Sequence, residues 1–583
     1  MRHLALFLMA SALPATAAFA QQDPLAPLPK AGDSPTAPAQ ELTPPQQAGQ
    51  EVDTVVPVAA PRSIPRDWPG VFAAIRAGDW AGAQAGIAAL PDDLIRPFAM
   101  AEYYTAKGSP RVDLPQITAL LTRAPELPQA PQLQRLAITR GALTPPPILT
   151  PRELRFLGSS PRRQRAQGLS GDPLLEAFRQ QVAPFVDAND PASAEAVLIA
   201  QGPLMTSEAQ AEAGQRVAWI YYVVGRDADA LRVANQWRAQ ATGEWGGQAA
   251  WIGGLAAWRM GDCNGALNDF RDATRLTADR ELATAGLFWA SRSAQACGRA
   301  REVQPYLRQA AARGPDSFYG LLARETLGMG TTLDTPRRED TAAIDNLPNI
   351  QRARLLARMG ERNFADQLIR YQARIGTADE HDDLVRLTRE LELPGTQYYL
   401  AHNGPPGARV SVSDRFPTFR WKPAAGWRID PALAMAHSRQ ESDFRAGVIS
   451  SAGAVGLMQV RPGTAGDFAR ARGTALGNLA DPSTNLEYGQ SFIEMMRGKP
   501  ATRGQLLKVI AAYNAGPLPV DRWNYINDKG DPLLWLESLP YWETRYYVPS
   551  VLRNMFVYQG MDGRDQPALK SLAQHQWPAF PTR

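Results

Sequence analysis

The chain has 583 residues, 62 Lys and Arg against 58 Asp and Glu, a formal net charge of +4, 44% apolar residues and two cysteines. Its length exceeds one hydrophobic core and predicts roughly three or four domains' worth of packing. The charge is too small and the arginines too scattered for a nucleic-acid binder, although an anionic polymer remains a compatible partner. No segment approaches the roughly 20 consecutive apolar residues of a membrane span.

Residues 1–20 read as a signal peptide: a basic start at Arg2 and His3, an apolar run from Leu4 to Leu13, and a small-residue exit at Ala18-Phe19-Ala20. Cleavage is expected before Gln21, and the absence of a Cys there argues against a lipid anchor. Residues 21–66 are rich in Pro, Ala and Gln and poor in aromatic and β-branched residues, so they predict a disordered tether.

From 67 to 336 apolar residues recur at helical spacing and strand-like alternation is nearly absent. Gly225, Gly261 and Gly298 sit in similar surroundings at spacings of 36 and 37 residues, close to a helix-turn-helix repeat period. Weaker copies stand at Gly78-Asp79-Trp80 and Gly360-Glu361-Arg362. Each glycine can take the left-handed conformation that ends a helix. Cys263 begins the second helix of one repeat and Cys297 ends the first helix of the next, which makes a disulfide between stacked repeats reasonable. Two separate buried thiols are the alternative, and two thiols alone make a poor zinc site. Residues 337–417 predict a helical linker domain, 418–560 a compact module, and 561–583 an extension either packed on the surface or partly disordered.

The chemistry concentrates in 418–560. Asp430-Pro431 opens a helix with an N-cap and a first-turn proline. Leu433, Met435 and Ala436 face a core, and Glu441 follows near the helix end. Partial desolvation there raises a carboxyl pKa from about 4.3 toward 6, as a general acid requires. Ser450 to Ala465 follow, with Gly453 and Gly456 for close backbone approach and Gln459 as both donor and acceptor. Tyr513-Asn514-Ala515-Gly516 then ends a helix, and Glu543-Thr544-Arg545-Tyr546-Tyr547 adds an acid, a base and aromatics.

In this order, Gln440-Glu441-Ser442, Gly456-Leu457-Met458-Gln459, Ala512-Tyr513-Asn514-Ala515-Gly516 and Glu543-Thr544-Arg545 with Tyr547 resemble the soluble lytic transglycosylases. The resemblance implies a mainly α protein: a helical-repeat superhelix, ring-like in large members of the family, then a linker and a goose-lysozyme-like catalytic domain. It implies a periplasmic enzyme that cuts peptidoglycan glycan strands. Carried over by position, Glu441 is the catalytic acid/base and Ser450 a polar residue near the substrate N-acetyl group. Gln459, Tyr513 and Asn514 become groove residues, and Glu543 and Tyr547 close the site. Arg461 departs from the pattern, since a large soluble relative has Met there.

Plainer roles stay open at several positions. Gln459 and Tyr513 also suit hydrogen bonding within the fold, Asn514 a helix stop, and Glu543 a pair with Arg545. Phe444 and the aromatics at 541–547 suit a core. His437, one turn before Glu441, reads as a packed helix residue and lacks the second His of a zinc motif, so neither metal nor cofactor is expected.

A conventional glycosidase needs a second carboxylate about 5 to 10 Å away. Asp443 points to another side of the helix, and Glu487, Glu494 and Glu543 stay open as partners. The resemblance implies a single acid that cleaves the MurNAc-β-1,4-GlcNAc bond and leaves 1,6-anhydroMurNAc. A muramidase using water is one alternative. A solenoid scaffold for other cell-wall enzymes is another.

Overall fold

A computed structural model describes residues 63–159, 161–331 and 341–581; the signal peptide, nearly all of the tether and the junction at 336 lie outside the described residues. The fold is mainly α, and the paired strands among the described residues are Arg155–Phe156 and Asn403–Gly404, antiparallel, with Arg155 opposite Gly404. Helix starts follow a local rule. Asp172, Asp190, Asp430 and Asp481 each precede a proline, and each carboxylate accepts a first-turn backbone N–H.

All five repeat glycines are left-handed helix stops, with φ of 70° at Gly78, 79° at Gly225, 82° at Gly261, 70° at Gly298 and 84° at Gly360. The N–H after each one donates back to a carbonyl of the finished helix, as in Asp262 to Ala257 and Arg299 to Ala294 (2.9 and 2.8 Å). The faint copies are thus built like the clear ones. Cys263 and Cys297 are both disulfide-bonded.

The chain divides into two compact units. One comprises Arg165–Ala278 and Ser538–Glu543. Its helices Glu244–Met260 and Cys263–Leu276 pack tightly because Gly253 and Gly254 bring no side chain: a Cβ would lie 2.5 Å from the Asp269 carboxylate and 2.7 Å from the Phe270 ring.

The other unit takes in the described part of Ser34–Gln164, all of Asp279–Glu537 and the chain from Thr544 onward. One hydrophobic cluster in it joins Phe72, Phe98, Leu121 and Leu133 to Ile344, Leu356, Leu368 and Leu384. An ion pair between Arg352 and Glu126 links the same segments. Helix Pro567–Ala573 packs on helix Phe318–Thr326, burying Leu569 and Leu572.

Helix Pro431–Ser442 is buried around its circumference from Ala432 to Arg439, beyond the single apolar face read from sequence. Its polar members are tolerated because helix Trp542–Met561 and the segment after it supply partners. Gln559 and Arg564 donate to the Asp430 carboxylate, and Arg439 donates to Asn554 (2.8 Å).

Candidate active site

Glu441 lies half-buried in the last turn of helix Pro431–Ser442. The chain leaves through two successive non-glycine residues in left-handed conformation, Asp443 (φ 51°) and Phe444 (φ 63°). This turn buries Phe444 edge-on to Phe419, so it is a core residue. Asp443 is turned toward Tyr398, and burial raises its pKa despite that hydrogen bond.

The Tyr547 hydroxyl donates to Glu441 Oε1 at 2.5 Å, and the same hydroxyl oxygen lies 2.8 Å from His437 Nδ1. Tyr513 packs on the His437 ring with centroids 4.5 Å apart and donates its hydroxyl to the Met458 carbonyl at 2.7 Å. Burial first, then the Glu441 charge, pushes the Tyr513 phenol well above its usual range. His437 goes the other way: burial lowers its pKa to about 3, so its ring is neutral near pH 7.

The loop after the helix is tied down at both ends. Ser442 donates to Leu457 O (2.8 Å), and the buried Asn485 of helix Pro482–Arg497 accepts from Met458 N and donates to Val455 O and Leu479 O. Gly456, at φ 80°, leaves no room for a side chain: a Cβ would stand 2.3 Å from Asn485 Nδ2 and 2.5 Å from Leu479 O. Gly453 also has positive φ (76°), but lies in open space at a turn that Ser450 closes by accepting from Ala454 N (3.0 Å).

Gln459 donates its amide to Gly456 O at 2.9 Å, within its own loop, and has a left-handed backbone (φ 47°). Asn514 accepts from Thr544 at 2.6 Å, which joins two of the four sequence blocks. Glu543 is exposed on the first turn of helix Trp542–Met561. Arg461 precedes helix Pro462–Ala471 and donates to Ala452 O at 3.3 Å.

Glu487 and Glu494 both pair with Arg428, at 2.8 and 2.7 Å. Burial works against ionisation of Glu487, yet the Arg428 hydrogen bond and charge hold its pKa below the usual range. Among the described residues no group of three or more His, Cys, Asp or Glu is placed to hold a metal ion, and no helix is long and apolar enough to cross a membrane.

The structure therefore brings Glu441, Tyr547 and Tyr513 around His437. The sequence had treated His437 as packing and had overlooked Asn485. A signal for His437 existed, since residues four apart share a helix face. Asn485 had none, because its partners lie in a distant loop.

Residues 421–535 match the family described as Transglycosylase SLT domain, so this stretch of the C-terminal module is such a domain. The soluble lytic murein transglycosylase of Escherichia coli strain K12 is 37% identical over 156 residues, 26% of this chain and 24% of that protein. The Salmonella typhimurium protein of the same name is 36% identical over 159 residues, covering 26% and 24%. The match thus spans about a quarter of these relatives' length.

Among solved structures, the 70 kDa soluble lytic transglycosylase of Escherichia coli is similar with a TM-score of 0.53 at 18% identity, over 88% of this chain and 98% of that one. An inactive mutant of the lytic transglycosylase Slt of Pseudomonas aeruginosa gives 0.52 at 19% identity, over 86% of each chain. These two likenesses establish a shared fold.

Proposed function

We propose that the chain is a lytic transglycosylase acting on peptidoglycan glycan strands in the periplasm, with Glu441 as its single acid and base. The observation that carries this is the hydrogen bond from Tyr547 to Glu441, a carboxyl that lies within the residues matching the SLT family. It holds one carboxyl at a helix end beside a loop whose glycines admit close approach.

Glu441 protonates the oxygen that links N-acetylmuramic acid to N-acetylglucosamine, and the bond from that oxygen to the muramoyl C1 breaks. N-acetylglucosamine leaves with the proton as its 4-hydroxyl, and the substrate's own N-acetyl group supports the charge developing at C1. The resulting carboxylate takes the proton of the muramoyl C6 hydroxyl. That oxygen bonds to C1 and closes the 1,6-anhydro ring. The nucleophile is already part of the sugar, and such proximity supplies several kcal/mol.

A single acid is supported by the fate of three other carboxylates, Asp443 engaged by Tyr398 and Glu487 and Glu494 by Arg428, while Glu543 lies exposed on the first turn of its helix. Ser450, Gln459, Tyr513 and Asn514 shape the groove around the acid, while Glu543 and Tyr547 close it.

Glu441→Gln tests the acid. Activity on purified peptidoglycan is expected to fall about 10³-fold with an unchanged melting temperature, within the range for loss of a general acid. Mass spectrometry of the wild-type digest tests the nucleophile: anhydro ends are expected, and ordinary reducing ends would turn the reading to a muramidase. Unchanged turnover by Glu441→Gln would favour a scaffold.

A further inference from the structure

We propose that His437, acting through Tyr547 as a neutral imidazole, fixes which oxygen of Glu441 carries the catalytic proton. This rests on the acid/base reading of Glu441 given above.

A phenol has one proton to give and lone pairs to receive with. The Tyr547 hydroxyl faces two partners, Glu441 Oε1 at 2.5 Å and His437 Nδ1 at 2.8 Å, and its proton can serve only one. An ionised carboxylate is the stronger acceptor. The proton therefore points at Oε1, and the short contact to Nδ1 is a hydrogen bond only if the imidazole donates. A neutral imidazole has one N–H, which places it on Nδ1 and leaves Nε2 bare. The hydrogen bonds then run in one direction, from His437 to Tyr547 to Glu441.

With Oε1 held as an acceptor, the carboxyl proton resides on Oε2. The same oxygen gives the proton in the first step and recovers it in the second, so the side chain need not turn between them. With the other tautomer, Tyr547 would donate to Nδ1, Oε1 would lose its donor, and the proton would be free to sit on either oxygen.

The surroundings keep this arrangement in place. His437 and Glu441 are one turn apart on the same helix, so their relative position is set by the backbone. The Tyr513 ring packs against the imidazole. Groups that face Glu441 include Tyr547 on helix Trp542–Met561 and Tyr513 on helix Leu506–Ala515, with His437 on its own helix against the Tyr547 hydroxyl. Near neutral pH the imidazole is neutral, and Tyr513 keeps its proton. His437 touches no reacting atom and is a positioning residue.

His437→Leu removes the donor, and His437→Asn returns an amide nitrogen close to the Nδ1 position. Relative to wild type, His437→Leu is expected to lower kcat on peptidoglycan roughly 10- to 100-fold with KM within about twofold. It also moves the alkaline limb of kcat/KM to higher pH, because a Tyr547 hydroxyl that no longer accepts from His437 is a weaker donor to Oε1 and favours the carboxylate less. His437→Asn is expected to recover most of both.

Wild-type kcat and an unshifted limb in His437→Leu would overturn the proposal, as would a folded His437→Asn no better than His437→Leu. Independently of folding in the variants, ¹⁵N and ¹³C shifts of the wild-type histidines, five in the chain, report the tautomer of His437. A neutral ring protonated on Nδ1 from pH 5 to 8 is expected, and protonation on Nε2 overturns the proposal. An active Glu441→Gln would remove the acid/base reading itself. An inactive Glu441→Gln beside a fully active His437→Leu removes this proposal alone.

Discussion

Tyr547 donates to one oxygen of Glu441, and a donor to a carboxylate favours the ionised form. Tyr547→Phe deletes that bond, leaving the His437 Nδ1 donor without an acceptor in the apolar interior. The proposed acid must be protonated in the free enzyme, so its activity disappears as pH rises through its pKa. Removing the donor raises that pKa and carries the alkaline limb of kcat/KM to higher pH. We expect such a shift in Tyr547→Phe together with a roughly 100-fold lower kcat, a loss no smaller than that of His437→Leu, since orientation is lost as well. A pH–rate profile of the purified variant measures both, and a limb displaced to lower pH would contradict the assigned direction of the bond.

Among the elements, the loop from Val448 to Val460 depends on helix Pro482–Arg497 through Asn485, and Gly456 is where the two come closest. Gly456→Ala places a methyl group against the Asn485 amide and requires a left-handed alanine. Overpacking costs typically 1 to 3 kcal/mol and the backbone conformation about 1 more. A lower melting temperature with loss of activity is expected, against a smaller stability loss and retained activity for Gly504→Ala, whose φ is also positive (65°) and which carries the backbone cost alone because it has open space around it.

This contrast also marks what was legible in the sequence. Glycine stops, Asp-Pro helix starts and the four ordered blocks are local, so their spacing displays them. The faint repeats at Gly78 and Gly360 were readable for the same reason. Asn485 and the partner of His437 are defined by residues 27 and 110 positions away, and one sequence contains no record of such pairings. The burial of helix Pro431–Ser442 on every side was missed because its polar residues resemble a solvent face until Asn554, Gln559 and Arg564 reach them.

At the scale of the whole molecule, buried imidazoles link stability to acidity. Burial lowers His437 to about 3, and burial with the nearby Arg439 charge lowers His402 to about 3. An unfolded histidine binds its proton near pH 6.5. The folded state does not, so stability is full above that pH and declines as pH falls toward the folded pKa, by about 1.4 kcal/mol per pH unit for each ring. Glu281 acts in the opposite sense. Burial raises it to about 7, so its contribution is present below the unfolded carboxyl value and is lost as pH rises through 7. Comparing variants separates the two. Between pH 7 and pH 5, wild type is expected to lose about 2 kcal/mol more stability than His402→Gln in urea unfolding. Equal losses would mean that His402 titrates normally in the fold.

The cluster that joins Phe72, Phe98 and Leu133 to Ile344, Leu356 and Leu384 also sets an order of events during synthesis. At roughly 5 to 20 residues per second, the ribosome needs about 10 to 40 s to go from Ala137 to Ile344. For that time the first helices exist without the partners that cover them. A chain truncated in this interval presents bare apolar faces, a target for holding chaperones and for self-association, whereas one truncated beyond Ala401 contains every buried member of this core.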